Sequence, residues 1–295
     1  MKPNILCVGH VNLDEILYTD KELRQERSSG VDSIISAGGG ATNTATVLSN
    51  NENIGDVYLA GDVRSDVRGK KVVESLSRNG VELALEPNDS GKTTKIRAVI
   101  TPGKNPQYMH EDESMSYFEP DDIDDNTWDL INHVHITSFD VDIATLFAER
   151  AKDENITVSF NPTQGYFDES FESVVELSDL VQMNRGESEE FTKRHGSVGA
   201  VVNNETDVVV THGPAGSTFY SPSNIAHHEG YTVENVIDTV GAGDSFMAGL
   251  ISAWINDKDP EESLKVANAH GALSVGHRGS PESISQNDID DLISS

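Results

Sequence analysis

Short apolar runs that stop at small or polar residues alternate with longer stretches of helical character. Asn4–Val8 ends in Gly9, and Val57–Ala60 ends in Gly61. His133–Ile136, Thr157–Phe160, Leu180–Met183 and Val208–Thr211 behave alike, each leading into a loop rich in Gly, Asn, Pro or Ser. Such runs mark strands buried on both faces. Between them, Ala41–Asn50, Arg68–Asn79, Ile143–Lys152, Glu187–His195, Ser245–Ile255 and Pro260–Val275 read as helices. The rhythm predicts an α/β fold, a doubly wound, mostly parallel central sheet with helices on both faces.

Two segments break the rhythm. Residues 12–35 are polar and charged with a few aliphatics. Thr93–Ile100 alternates, Pro102-Gly103 offers a turn, and Tyr108–Phe118 follows. Alternation belongs to strands with one buried face. These segments, about 12–35 and 93–118, are therefore expected to form antiparallel strands of a small β-sheet lid. No repeat or low-complexity tract divides the chain, so 1–295 reads as one domain carrying that lid. Free edges and one apolar face on the lid favour pairing of two subunits, so a homodimer through the lid is expected.

Charge narrows the function classes. Asp and Glu total 50 against 21 Lys and Arg, a net charge of −29. Such a chain repels nucleic acid and anionic membrane, and neither is expected as a partner. The acids are scattered, which suits an acidic surface on a folded domain and adaptation to high salt; an ordinary acidic protein is the alternative. Cys7 is the only cysteine and lies in an apolar run, as a core residue would. No basic segment followed by an apolar stretch opens the sequence, and no run approaches membrane-spanning length, so a cytoplasmic location is expected.

The chemistry concentrates in Asp238-Thr239-Val240-Gly241-Ala242-Gly243-Asp244, directly before a helical stretch. Two glycines in three positions let the backbone turn tightly and leave its N–H groups uncovered. Those groups and the positive helix end converge on one point, an anion site suited to a phosphoryl group. Asp244 stands at its rim, where a carboxylate can accept a proton from an attacking hydroxyl. A plain helix cap after a tight turn is the alternative for a shorter string. Gly91-Lys92-Thr93 resembles the end of a P-loop, but Glu86 stands where the first glycine is needed and a strand pattern follows, so it is rejected.

The seven-residue string resembles the C-terminal motif of the ribokinase-like, pfkB-type carbohydrate kinase family. The resemblance makes Gly241, Ala242 and Gly243 an anion hole and Asp244 the catalytic base. Other strings stand in the family's order. Gly9-His10-Val11-Asn12-Leu13-Asp14 looks like its first loop, with Asn12 and Asp14 on acceptor hydroxyls. Gly38-Gly39-Gly40-Ala41-Thr42-Asn43 matches its N-terminal motif, with Gly38 and Gly39 against the sugar and Asn43 bonding a hydroxyl. Asn184-Arg185-Gly186-Glu187 matches an Asn-x-x-Glu that organises Mg²⁺, Glu187 acting through water. Thr211-His212-Gly213-Pro214-Ala215-Gly216 resembles the nucleotide loop, giving Thr211, Gly213 and Gly216 to the nucleotide, and Asn268 falls in the segment beside adenine. Asp238 occupies the position that holds part of a K⁺ site in some members.

The resemblance implies transfer of the terminal phosphoryl group of a nucleotide, ATP or alternatively ADP, to a hydroxymethyl group of a sugar or sugar acid. A sugar phosphate or nucleoside is the alternative acceptor, and a non-catalytic relative the remote one. Three departures bear on this. Arg64 stands where the family often has Gly, and Asn161-Pro162-Thr163-Gln164 lacks the acid and Arg of many sugar-specific members. Lys95 and Arg97 gather in the lid with a spacing of two, which puts them on one strand face. They either grip a phosphate on the acceptor or pair with nearby acids.

The charge yields the first prediction. Self-repulsion is screened within about 3 Å at 1 M salt but reaches about 10 Å at 0.1 M. The unfolding temperature should therefore fall as KCl is lowered from about 2 M to about 0.1 M. A calorimetric scan that finds it unchanged or raised contradicts salt adaptation.

Overall fold

The computed structural model describes residues 2–19, 31–101, 106–111, 117–137, 140–162, 169–199, 206–279 and 284–294. The turn expected at Pro102-Gly103 and the Thr163-Gln164 departure lie outside them. Two sheets organise the chain. The large one has nine strands among the described residues. Within it β1 (Ile5–Gly9) is flanked on one side by β4 (Val57–Ala60) and β5 (Val81–Leu83). On the other side follow β8 (His133–Thr137), β9 (Thr157–Asn161), β10 (Leu180–Asn184) and β11 (Asp207–Thr211), all parallel. The far edge is an antiparallel hairpin of β12 (Ser217–Tyr220) and β13 (Ile225–His228). That hairpin, β5 and a C-terminal helix at Gln286–Ser294 go beyond the elements expected from the pattern.

Both faces of the large sheet are covered, as continuous apolar strands require. On one face lie α1 (Gly40–Ser49), α2 (Val67–Arg78) and the helices Ala242–Trp254 and Pro260–Ser274. They bury Leu48, Leu76, Leu250 and Leu264 against Ile5, Cys7 and Leu59. On the other face, helices Val141–Asp153, Glu169–Glu176 and Arg185–His195 bring Phe147, Phe171 and Phe191 onto Leu6, Val134 and Val158. Cys7 is fully buried. Arg64 is a buried strut, its guanidinium on Asp62 at 2.7 Å and the Ser90 carbonyl at 2.6 Å. No described helix is long and apolar enough to cross a membrane.

The second sheet has the order β3-β2-β6-β7, with β2 at Asn12–Thr19, β3 at Val31–Gly38, β6 at Lys95–Ile100 and β7 at Gln107–Glu111. These strands fall in the two segments that break the sequence rhythm. The expectation of purely antiparallel pairing needs correction, because the central pair β2–β6 is parallel. Alternation reports one buried face and is silent about direction. Between the two strands the chain passes through β3, α1, β4, α2 and β5, a crossover long enough to re-enter from the same end.

The register sorts the lid's side chains. Asp14, Ile16 and Tyr18 of β2 share a face with Ile96, Ala98 and Ile100 of β6. This face turns inward, where Ile16, Tyr18, Ala98 and Ile100 pack with Ile34 and with Val240 of the glycine turn. The opposite face carries Glu15, Lys95, Arg97 and Glu111, with Val31, Ile35 and Met109 exposed beside them.

Candidate active site

Helix Ala242–Trp254 begins at Gly241, whose φ of 74° lies in the left-handed region that glycine occupies without strain. Its first turn carries Asp244. Helix α1 begins after Gly39, with φ 97°, where an added Cβ would lie 2.2 Å from the His10 carbonyl oxygen. The two helices pack together, and Asn43 donates its amide to Asp244 Oδ2 at 2.7 Å. Residues 201 apart in sequence thus meet at one carboxylate.

Asp14 completes the group from the inner face of β2, so it sits on a strand where a loop position was expected. Its Oδ1 is buried and lacks a hydrogen-bond partner. Gly38 passes so close that a Cβ there would lie 2.0 Å from Asp14 Oδ2. A small recess is lined by Asp14, Ser36, Asn43, Val240, Gly241 and Gly279. Asn12 is buried, its amide 3.3 Å from where a Cβ on Gly39 would stand.

Burial raises both acids. Asp14 is pushed up to about 7, first by burial and then by the charge of Asp244. Asp244 is pushed up to about 6 by burial, against the lowering effect of the Asn43 hydrogen bond. A base in this range accepts a proton near neutrality and returns it readily. An unpartnered, buried carboxylate oxygen on Asp14 invites a hydroxyl donor from outside the chain.

A larger cavity of about 560 Å³ opens on the other side of the glycine turn. Thr211, Gly213, Gly216 and Asn268 line it together with Thr239, Ala242 and Gly243. Thr211 ends β11, and Gly213 opens a short 3₁₀ turn, Gly213–Ala215. Asn268 is buried and spends its amide on Ser217 Oγ and the Leu264 carbonyl, each at 2.7 Å. Tyr231, Val236, Phe246 and Val275 also line the cavity, and the motif strings gave no sign of them. Their apolar surface suits a heterocyclic base.

Asn184 and Glu187 stand where β10 ends beside Thr211. They form a reciprocal helix cap: Asn184 Oδ1 accepts from the Glu187 N–H at 3.0 Å, and Glu187 Oε2 from the Asn184 N–H at 2.7 Å. Burial raises Glu187 to about 7 against these bonds. Asp238 is almost fully buried, with Oδ2 accepting from the Tyr18 hydroxyl at 2.8 Å and Oδ1 from the Val240 N–H at 2.9 Å.

Lys95 and Arg97 need correction as acceptor residues. The pairing of Asp14 with Ile96 puts both on the lid face opposite Asp14. There Lys95 Nζ and Arg97 Nε hold Glu15 Oε2 at 2.8 and 2.7 Å, and Arg97 Nη1 holds Glu111 at 2.9 Å. Their spacing placed them on one face, but only the register decides which face that is.

Comparison with known proteins fits this geometry. The family model described as pfkB family carbohydrate kinase matches residues 2–287. The chain belongs to the pfkB family of carbohydrate kinases. Within the family it is 30% identical, over 93% of both chains, to the ATP-dependent ribose-1-phosphate kinase of Halopiger xanaduensis. It is 23% identical to a nucleoside kinase of Methanothermobacter thermautotrophicus, over 95% of this chain and 92% of the relative. Among solved structures, a putative ribokinase II from E. coli superposes with a TM-score of 0.86 at 19% identity, covering 100% of this chain and 99% of that one. The Methanocaldococcus jannaschii nucleoside kinase gives 0.82 at 22% identity, covering 100% and 98%. The fold is therefore ribokinase-like, and the chain is a kinase with an alcohol group as acceptor.

The Asn43–Asp244 bond makes the pH dependence testable. As pH falls through about 6–7, Asp244 and Asp14 take up protons and kcat/KM should fall. Removing the Asn43 amide takes away the effect that lowers Asp244, so Asn43→Ala should move the acidic limb to higher pH. An unmoved limb in a pH–rate profile separates Asn43 from the base.

Proposed function

We propose that this kinase transfers the terminal phosphoryl group of ATP to the hydroxymethyl group of a ribosyl acceptor, with ribose 1-phosphate preferred. The observation that carries the reaction is Asp244, bonded to Asn43 beside the glycine turn and next to the unpartnered oxygen of Asp14. The preference rests on the Halopiger relative, which matches nearly the whole chain. It displaces the neutral sugar expected first from the sequence.

Asp14 and Asn43 orient the acceptor's hydroxyl at the recess. As its hydroxyl oxygen attacks phosphorus, Asp244 takes the proton and the bond to the leaving nucleotide oxygen breaks. Amides of Gly241 to Asp244 face the charge on the phosphoryl oxygens. Mg²⁺, when bound with the nucleotide, neutralises phosphate charge. The oxygen donors of Asn184 and Glu187 fit such a hard cation's waters, and its charge would favour ionised Glu187. Positioning and electrostatics carry the rate.

A nucleoside acceptor is the second reading, and Tyr108 favours it. This half-exposed ring stands on the inner lid face opposite Ala98. Its hydroxyl is raised by burial and then by the charges of Asp238, Asp14 and Asp244. An aromatic ring beside the acceptor recess suits a base at the sugar's first carbon.

The test is an acceptor panel of ribose, ribose 1-phosphate and nucleosides, with ATP and ADP as donors. Ribose 1-phosphate with ATP should give the highest kcat/KM; preference for a nucleoside or for free ribose overturns the substrate reading. Asp244→Asn should fold and lose about 10²–10⁴-fold in kcat. A loss under about tenfold removes Asp244 from the role of base. The exposed Val31, Ile35 and Met109 on the outer lid face further support a homodimer built there. Light scattering should return twice the monomer mass, and Ile35→Lys should halve it; a native monomer contradicts this.

A further inference from the structure

The sequence allowed a monovalent cation at Asp238, held partly by its carboxylate. Among the described residues, Asp238 is already surrounded by the chain's own donors and does not fit one. Asp238 is 3% exposed, and each of its oxygens already accepts a hydrogen bond from within the chain. The donor to Oδ2 is Tyr18, 220 residues away on the lid. Tyr18 itself is buried, packed with Ile16 and Ile100, and Arg278 stacks on its ring at 4.8 Å. A phenol fixed in this way is a built contact, because its ring is held on both sides independently of the hydroxyl.

The other oxygen of Asp238 matters as much. It holds the N–H of Val240, the residue before Gly241, where the helix carrying Asp244 begins. Val240 also packs against the lid cluster. The backbone of Ile237 and Asp238 is tied to the Val275 carbonyl at 2.8 and 3.3 Å. A line of hydrogen bonds thus runs from the lid phenol through one carboxylate to the backbone that presents the glycine amides. Fixing those amides before reaction is what makes such a site effective.

We propose that Tyr18 is a positioning residue for phosphoryl transfer, its hydroxyl holding Asp238 and the glycine turn in place where a monovalent cation would otherwise do so. The lid strand that carries Asp14 to the acceptor therefore also sets the anion hole. Turnover needs no particular monovalent cation, although bulk salt still acts on the acidic surface. The proposal rests on the kinase reading.

The experiment compares KCl, NaCl and choline chloride at matched ionic strength, for the native enzyme and for Tyr18→Phe. Native kcat should stay within about twofold across the three salts, and so should need no variant to be informative. Tyr18→Phe keeps the ring and its stacking but leaves Asp238 Oδ2 buried without its donor. Its kcat should drop about tenfold in choline, with the KM for ATP within about threefold. K⁺ should recover part of that loss and raise the variant's unfolding temperature over choline, an effect absent from the native enzyme. A native enzyme that loses more than about fivefold without K⁺ overturns the proposal, as does a variant with native kcat. A variant equally impaired and equally stable in all three salts makes Tyr18 merely structural and overturns it too. A native protein inactive on every acceptor in every salt would sink the kinase reading instead.

Discussion

The crossing of two helix N-termini governs this molecule. Helix α1 follows one glycine motif, the Ala242–Trp254 helix follows the other, and they touch where Asn43 donates to Asp244. Each start presents N–H groups to one small region, and the packing fixes how far apart those regions stand. Bringing Asp14 to the same place takes two carboxylates out of water. Burial raises both above the ordinary carboxylate range, and the charge of Asp244 raises Asp14 further. That arrangement costs stability where the acids ionise, a cost that active sites commonly carry. The surrounding sheet, whose strands β1, β4 and β8 are buried throughout, supplies the rigidity that tolerates it.

The lid has two faces with different work. Its inner face delivers Asp14 to the recess beside Asn43 and Tyr18 to Asp238, while Ile16 and Ala98 seat it against Val240. Its outer face carries the partly buried Glu15–Lys95–Arg97–Glu111 network, with Arg68 of α2 reaching Glu111 at 3.2 Å. Such pairs gain Coulomb energy but lose hydration of both partners, so each adds little net stability. The inner apolar contacts therefore set the lid's position.

Much of this was legible from residues alone, for identifiable reasons. Buried parallel strands such as Cys7 and Val208–Val210 write continuous apolar runs, and glycine motifs announce backbone that must be approached closely. The string Asp238–Asp244 pointed to an anion site because its chemistry is local. What stayed hidden depends on pairing across the chain. Direction in the β2–β6 pair, and hence the outward turn of Lys95 and Arg97, follows from register that no local spacing encodes. Tyr18 could have been noticed, since Asp14, Ile16 and Tyr18 alternate on one face, but residues 12–35 read only as polar and charged lid strands with a few aliphatics. The edge hairpin at Ser217–His228 is short and partly exposed, so its pattern is weak. Tyr231 and Phe246 reach the larger cavity only through tertiary packing.

The central claim is that burial holds Asp244 as a base poised near neutrality. Its most direct test is a ¹³C NMR titration of the aspartate carboxyl carbons, with the Asp244 resonance assigned by its loss in Asp244→Asn. The account predicts a midpoint at about 6, coupled to a second group that titrates at about 7 and disappears in Asp14→Asn. A midpoint for Asp244 at or below the ordinary carboxylate range would contradict it.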